Sequence, residues 1–306
     1  MCGVVGIIGK KNASSLVLEG LKKLEYRGYD SAGIASFYQK SIQVAKSEGK
    51  LVNLINKVND LAKDNLYYDT SIALGHTRWA THGNVNIKNA HPLTSENRVA
   101  VVHNGIIENY ALIKKTLESE GYVFTSQTDT EVLPHLFTKY LKKGHDFLQA
   151  GRLVLKDIKG AFAFVAICLD FPDQLFVSRN SSPLAIGLGE GSNFVGSDAQ
   201  SINHLTNKII YLEDGDYALI QINNIEVFDK NSNKIDRKII NVQSELGLIT
   251  KGGYKHFMEK EIYEQPSVLP QTISSFVNRK STINIDLEKL GFSKKNSLII
   301  CAAGTS

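Results

Sequence analysis

Gly160-Ala161-Phe162-Ala163-Phe164-Val165-Ala166-Ile167-Cys168-Leu169 opens the stretch that decides how this chain folds. The run from Ala161 to Leu169 reads as a strand. It is followed by Leu175 to Ser178, Leu184 to Leu188, Phe194 to Gly196, Ile209 to Leu212, Tyr217 to Ile222 and Ile225 to Phe228, all short runs with strand character. Strands so closely spaced leave no room for the helical crossovers that parallel neighbours need, so they pair antiparallel. Asn223-Asn224 marks a tight hairpin turn.

Upstream, strands and helices alternate. Cys2 to Ile8 reads as a buried strand, and Ala13 to Leu24 as a helix with Val17, Leu21 and Leu24 on one face and Asn12 as its N-cap. Ala32 to Tyr38 and Ser41 to Lys46 read as a hairpin, and Ser71 to Trp79 and Arg98 to His103 as strands. Tyr110, Ile113 and Leu117 define a helix face that ends at Gly121. Thr128-Asp129-Thr130-Glu131 has capping-box spacing ahead of Leu133, Phe137 and Tyr140. Helices gathered around antiparallel strands predict an α+β layered domain over residues 1–240. Beyond Asn241 the pattern weakens at Gly247, Gly252 and Gly253, and Ser297 to Ser306 reads as a buried strand running into a turn, the opening of a second domain.

Composition bounds the function classes. The 306 residues are 42% hydrophobic and 22% charged, as in ordinary globular proteins. The net charge of +4 comes from dispersed lysines, which gives nucleic-acid binding little support. Cys2, Cys168 and Cys301 are few and far apart, which fits a reducing cytoplasm rather than a disulfide framework. There is no signal-like segment, and no apolar run of membrane-spanning length, so membrane insertion is not expected.

The chemistry lies at strand ends and loops. Cys2 follows the initiator methionine, whose removal would leave a residue carrying both a thiol, with a reference pKa of roughly 8.5, and an α-amine of roughly 7.7 to 8.0. Nucleophile and base would then share one residue; the plainer reading is a small residue at position 2. Arg78, in His76-Thr77-Arg78-Trp79-Ala80-Thr81-His82-Gly83, has the guanidinium fork to grip a carboxylate, or is a surface arginine stacked on Trp79. His103-Asn104-Gly105 lies where a strand is expected to meet a helix, so that the Asn104 amide and the Gly105 N–H converge as an oxyanion hole requires, or form an ordinary turn. Asp129 suits a substrate ammonium or merely caps its helix. Tyr26-Arg27-Gly28-Tyr29-Asp30-Ser31 is a polar turn. His76, His82, His91 and His103 show no recognised ligand spacing, and no metal is expected.

Together these segments resemble the class II glutamine amidotransferases of the N-terminal-nucleophile hydrolases, and within them the enzymes that aminate fructose 6-phosphate. The match is carried by Met1-Cys2-Gly3, Leu24 to Gly33, Gly75 to Gly83, Asn89-Ala90-His91-Pro92, Val102 to Asn109 and Thr128 to Glu131. Their joint occurrence outweighs the separate structural readings. The resemblance implies a four-layer αββα sandwich of two antiparallel sheets between helix layers. It implies Cys2 as nucleophile, Asn104 and the Gly105 N–H as oxyanion hole, Arg78 on the carboxylate of L-glutamine and Asp129 on its ammonium. Thr81 and His82 fall in the glutamine loop, Trp79 matches the indole that gates ammonia passage, and Arg27 has a supporting role.

No cofactor is implied. Residues 241–306 resemble a linker and the truncated beginning of an α/β sugar isomerase domain, through Lys260 to Pro266 and Gly304-Thr305-Ser306. Fructose 6-phosphate would be a partner only with that domain, in this chain or in a separate isomerase chain, and the full-length enzymes are homodimers. Two departures stand out: Ser181 where the family usually shows glycine, and Ala303 where a cysteine precedes Gly-Thr-Ser. A glutaminase serving another synthase, and a glutamine-binding or docking module without catalysis, remain open alternatives.

Overall fold

The computed structural model describes residues 2–9, 12–25, 28, 30–38, 40–63, 70–79, 84–242 and 254–276. The chain divides into two compact units, Met1–Glu245 and Leu246–Ser306. In chain order the first unit holds β1 (Gly3–Gly9), α1 (Ala13–Leu24), β2 (Ser31–Tyr38), β3 (Ser41–Glu48), α2 (Leu51–Lys63), β4 (Ile72–Arg78), β5 (Leu93–Ser95), β6 (Val99–Ile107) and α3 (Tyr110–Ser119). A 3-10 turn (Asp129–Glu131) then leads into α4 (Val132–Lys142), α5 (Phe147–Asp157), β7 (Gly160–Cys168), β8 (Phe171–Asn180), β9 (Ala185–Gly189) and β10 (Ser192–Gly196). β11 (Lys208–Tyr211), β12 (Tyr217–Ile220), β13 (Ile225–Phe228), β14 (Lys234–Ile235) and β15 (Ile239–Asn241) complete it.

The strands form an eight-stranded sheet, ordered β15-β11-β9-β10-β1-β4-β2-β3, and a seven-stranded sheet, ordered β14-β13-β12-β8-β7-β6-β5. Alternation along each strand assigns residues to layers. On β1, Val4 and Ile8 enter the core between the sheets, while Val5 and Ile7 enter the core under α1 and α2. On β7, Ala163, Val165 and Ile167 face the first sheet, and Phe162, Phe164 and Ala166 meet α3, α4 and α5. Three cores between four layers make an αββα sandwich, as the resemblance implies. The outer core on the α4 side is anchored by the buried rings of Phe137, Phe147, Phe164 and Phe176, each worth about 3–5 kcal/mol against alanine.

Local details depart from the sequence reading. Asn12 occupies the N-cap position of α1 at φ 61 without a side-chain cap bond, because the polar partners there are the Thr70 carbonyl and hydroxyl, which take the N–H groups of Ala13 and Ser14. The capping box at Thr128 does not form. Glu131 accepts instead from the N–H groups of Thr125 and Ser126, capping the preceding loop. The hairpin after β12 closes between Gln221 and Asn224, so Ile222-Asn223, one residue earlier than expected, forms its tip. The described part of the second unit contains α6 (Phe257–Phe276), and the expected strand at Ser297 lies outside the described residues. Among the described residues no helix is long and apolar enough to cross a membrane.

Candidate active site

Register places Cys2. With Gly3 opposite Thr77 on β4, Cys2 comes level with the end of β4, at Arg78 and Trp79. The Trp79 N–H donates to Cys2 Sγ at 3.2 Å, and the thiol reaches the Trp79 carbonyl at 3.5 Å. Gly28 backs this arrangement: a Cβ there would stand 2.8 Å from the Arg78 carbonyl carbon and 3.1 Å from the Trp79 nitrogen, so only glycine allows the backbone at this position to approach so closely. Burial pushes the Cys2 thiol above its ordinary pKa, and the Trp79 N–H acts in the opposite direction.

The second sheet supplies the facing wall. β6 does not end at His103 as expected but runs through Asn104 and Gly105 to Ile107, paired with β7 down to Gly160. The ladder continues because Gly105 accepts φ 127, where a Cβ would lie 2.0 Å from the Ala161 carbonyl oxygen. The Asn104 amide nitrogen donates to the Cys2 carbonyl oxygen at 3.1 Å. Asn104 Nδ2 and the backbone of Gly105 therefore lie beside Cys2 at a strand position, not at a strand-to-helix junction.

Cys2, Arg78, Trp79, Asn104, Gly105 and Asp129 all line one cavity of ≈ 300 Å³. Arg78 is 4% exposed, which excludes the reading of it as a surface arginine, while Trp79 is 46% exposed at the rim. Asp129 starts the 3-10 turn ahead of α4 and accepts the Ile107 N–H at 2.7 Å, so its carboxylate is fixed against β6. Arg27, Thr81 and His82 lie outside the described residues. Cys168 is buried in the helix-side core, its thiol pushed to about 11 first by burial.

The wall also holds residues to which sequence reading gave no role. Thr128, Thr130, Ser182, Pro183 and Ser197 line the cavity, together with His76, His91 and His103. The three rings pack in sequence, His76 against His91 with centroids 4.3 Å apart and His91 against His103 at 6.4 Å. Burial drives all three towards neutrality, His76 to about 3 and His103 to about 4. Among the described residues no group of three His, Cys, Asp or Glu side chains is arranged to hold a metal ion. Chemically the cavity offers a thiol, amide and backbone donors beside it, a cationic fork and a carboxylate. That set is suited to an amino acid whose side-chain carbonyl meets the thiol.

Comparison with known proteins agrees. Residues 76–204 match the family described as glutamine amidotransferase domain. The chain is 46% identical over 310 residues to glutamine–fructose-6-phosphate aminotransferase [isomerizing] of Fusobacterium nucleatum, and 44% identical over 310 residues to that of Clostridium tetani. Each alignment takes in 100% of this chain and 50% of the relative, so the chain spans about half the length of the curated relatives it matches. Among solved structures, glutamine phosphoribosylpyrophosphate amidotransferase from B. subtilis is similar with a TM-score of 0.63 and 26% identity, over 76% of this chain and 50% of that one. By its sequence and by its two-sheet sandwich, the chain resembles a class II glutamine amidotransferase domain of the N-terminal-nucleophile type, and the relatives it matches are glutamine–fructose-6-phosphate aminotransferases.

Proposed function

We propose that this chain hydrolyses L-glutamine to L-glutamate and ammonia through a γ-glutamyl thioester on Cys2. The observation that carries the reading is the convergence on one cavity of Cys2, the Asn104 amide 3.1 Å from its carbonyl, Gly105, Arg78 and Asp129. Once Met1 is removed, the α-amine of Cys2 takes the thiol proton, directly or through a water. Sulfur attacks the side-chain carbonyl carbon, and the oxyanion is received by Asn104 Nδ2 and the Gly105 N–H, each worth about 3 kcal/mol. The tetrahedral intermediate collapses, the amine returns its proton to the departing nitrogen, and ammonia leaves. Water, activated by the same amine, adds to the thioester and releases glutamate, restoring the thiol. Arg78 holds the α-carboxylate and Asp129 the α-ammonium, which fixes the amide against the thiol. Trp79 gates the passage of ammonia, Thr81 and His82 belong to the glutamine loop, and Arg27 supports the site.

We propose further that residues 1–240 form the glutaminase domain and 241–306 a linker and the beginning of a sugar isomerase domain. With such a domain, in one chain or two, the ammonia would aminate fructose 6-phosphate to glucosamine 6-phosphate in a cytoplasmic homodimer. The names of the relatives, and alignments that run the whole length of this chain, support this reading. The deciding experiment measures glutamate release by the purified chain, its amino terminus checked by intact mass, beside Cys2→Ala. Release that needs both Cys2 and loss of Met1 is expected. Glutamine binding without release by a chain with free Cys2 would instead identify a binding module.

A further inference from the structure

The core between the sheets ends at the cavity in a polar pair. On β4, Ile72 and Leu74 point into that core, and His76 is the next side chain on the same face. On β6, Ala100 and Val102 do the same, and Asn104 is next. His76 Nε2 lies 3.0 Å from Asn104 Oδ1 and 3.0 Å from the His103 carbonyl oxygen. The shape of an asparagine amide does not tell oxygen from nitrogen, so its partners decide its orientation. The Cys2 carbonyl can only accept, which turns Nδ2 towards Cys2 and Oδ1 towards His76. Both atoms facing Nε2 are then acceptors, so Nε2 carries the hydrogen and His76 Nδ1, which has no hydrogen-bond partner among the described residues, is bare.

We propose that His76 is a positioning residue for the oxyanion hole, its Nε2–H holding Asn104 Oδ1 so that the amide N–H₂ stays turned towards the Cys2 nucleophile. The inference rests on the glutaminase reading above. The rest of the histidine layer serves the same end. The His103 N–H donates to His91 Nδ1 at 3.3 Å, and His103 Nδ1 bonds the Thr130 hydroxyl at 2.8 Å, which fixes the backbone whose carbonyl shares the His76 proton. Burial opposes protonation of His76 most, and the neighbouring His103 ring and the Arg78 guanidinium disfavour it further. The neutral donor therefore persists across the working pH range. Without it, only the bond from Nδ2 to the Cys2 carbonyl opposes a flip that would present oxygen to an oxyanion.

Glutamate release is measured for wild type, Cys2→Ala, His76→Leu, His76→Gln, Asn104→Ala and the double variant His76→Leu/Asn104→Ala. His76→Leu is expected to lower kcat about 100-fold with KM within about threefold. His76→Gln, whose amide N–H reaches the position of Nε2, is expected to recover about tenfold of that. The double variant should be no slower than Asn104→Ala, since His76 acts through Asn104. A loss that multiplies with that of Asn104→Ala, or that appears in KM alone, would overturn the proposal. Should His76→Leu not fold, the comparison of His76→Gln with His76→Asn, too short to reach Oδ1, reads the same difference. Nitrogen NMR of the wild-type chain is expected to show Nε2 protonated and Nδ1 bare, and the opposite tautomer would overturn the proposal. That readout holds even if wild type releases no glutamate, an outcome that would defeat the glutaminase reading instead.

Discussion

The Trp79 N–H points at Cys2 Sγ across 3.2 Å, so the strand carrying the Arg78 guanidinium also presents a backbone donor to the thiol. That donor opposes the effect of burial without cancelling it, since the thiol remains above its ordinary pKa. The folded site by itself therefore does not generate a thiolate at neutral pH. In the reaction proposed above, activation falls to the α-amine that removal of Met1 would free.

In the form that keeps Met1, iodoacetamide labelling of Cys2 should rise with pH and reach its midpoint above the roughly 8.5 of a free thiol. Removal of Met1 should lower that midpoint by placing an ammonium beside the sulfur. Cys168, fully buried and at about 11, should stay unlabelled in the folded chain. Peptide mapping by mass spectrometry across pH 6 to 10 reads both sites. A Cys2 midpoint near 7 with Met1 still attached would show that the fold alone activates the thiol.

Arg78 is buried in the cavity wall, where a planar fork and a point charge are not equivalent. Arg78→Lys should raise the KM for glutamine about 10- to 100-fold while kcat falls less than about threefold, the pattern of lost ground-state binding. Steady-state kinetics decides it, and a loss confined to kcat would place Arg78 in the chemistry rather than in substrate capture.

His76, His91 and His103 are held neutral by burial, with folded values far below the roughly 6.5 of an unfolded histidine. Below pH 6.5 the unfolded chain takes up protons that the folded chain refuses. Stability is thus flat above that pH and falls as pH drops towards 4, by at most about 4 kcal/mol per pH unit for three groups. Urea unfolding at pH 8, 6 and 5 should show the midpoint dropping across this range. Equal midpoints at pH 8 and pH 5 would mean that the histidines protonate without unfolding the site.

The strand run after Gly160 is enough to read antiparallel pairing and an α+β layered domain, because period and spacing are local properties, whereas the four-layer sandwich comes only with the family resemblance. The site residues Cys2, Arg78, Asn104, Gly105 and Asp129 could be named only through motifs. Their meeting depends on the registers of β1 against β4 and of β6 against β7, which no local pattern encodes. The histidine layer was hidden for the same reason: His76 and Asn104 sit on different sheets. α2 and α5 were legible but unread, with Leu51, Leu54, Val58 and Ala62 buried along one face of the first and Phe147, Ala150 and Val154 along one face of the second.

Glu131 shows the opposite case, a motif present without its usual bond. Burial would raise its carboxyl, but the donors at Thr125 and Ser126, with the His135 ring 3.9 Å away, hold it at about 2. Glu131→Gln should cost about 3 kcal/mol at neutral pH, since a depressed acid stabilises fully above its unfolded value. The cost should shrink as pH falls below about 4.5 and vanish near 2. Denaturation at pH 7 and pH 4 tests the slope, and a cost that grows in acid would refute the assignment.

Ser181 sits at φ 68, a left-handed conformation that an L side chain adopts at a cost of roughly 1 kcal/mol. The chain tolerates it because the Ser181 N–H is held by Asp214 Oδ1 at 2.8 Å and the next N–H, of Ser182, by the Asn180 carbonyl at 2.8 Å. Both bonds involve backbone donors, so glycine would keep them while relieving the strain. Ser181→Gly should therefore raise stability by about 0.5 kcal/mol at most after the added freedom of the unfolded chain is counted. Because Ser182 and Pro183 line the cavity, the same variant also reports on the wall. Glutamate release should stay within about twofold while the urea midpoint rises, and a lower midpoint would show that the serine side chain, not its backbone, secures this turn.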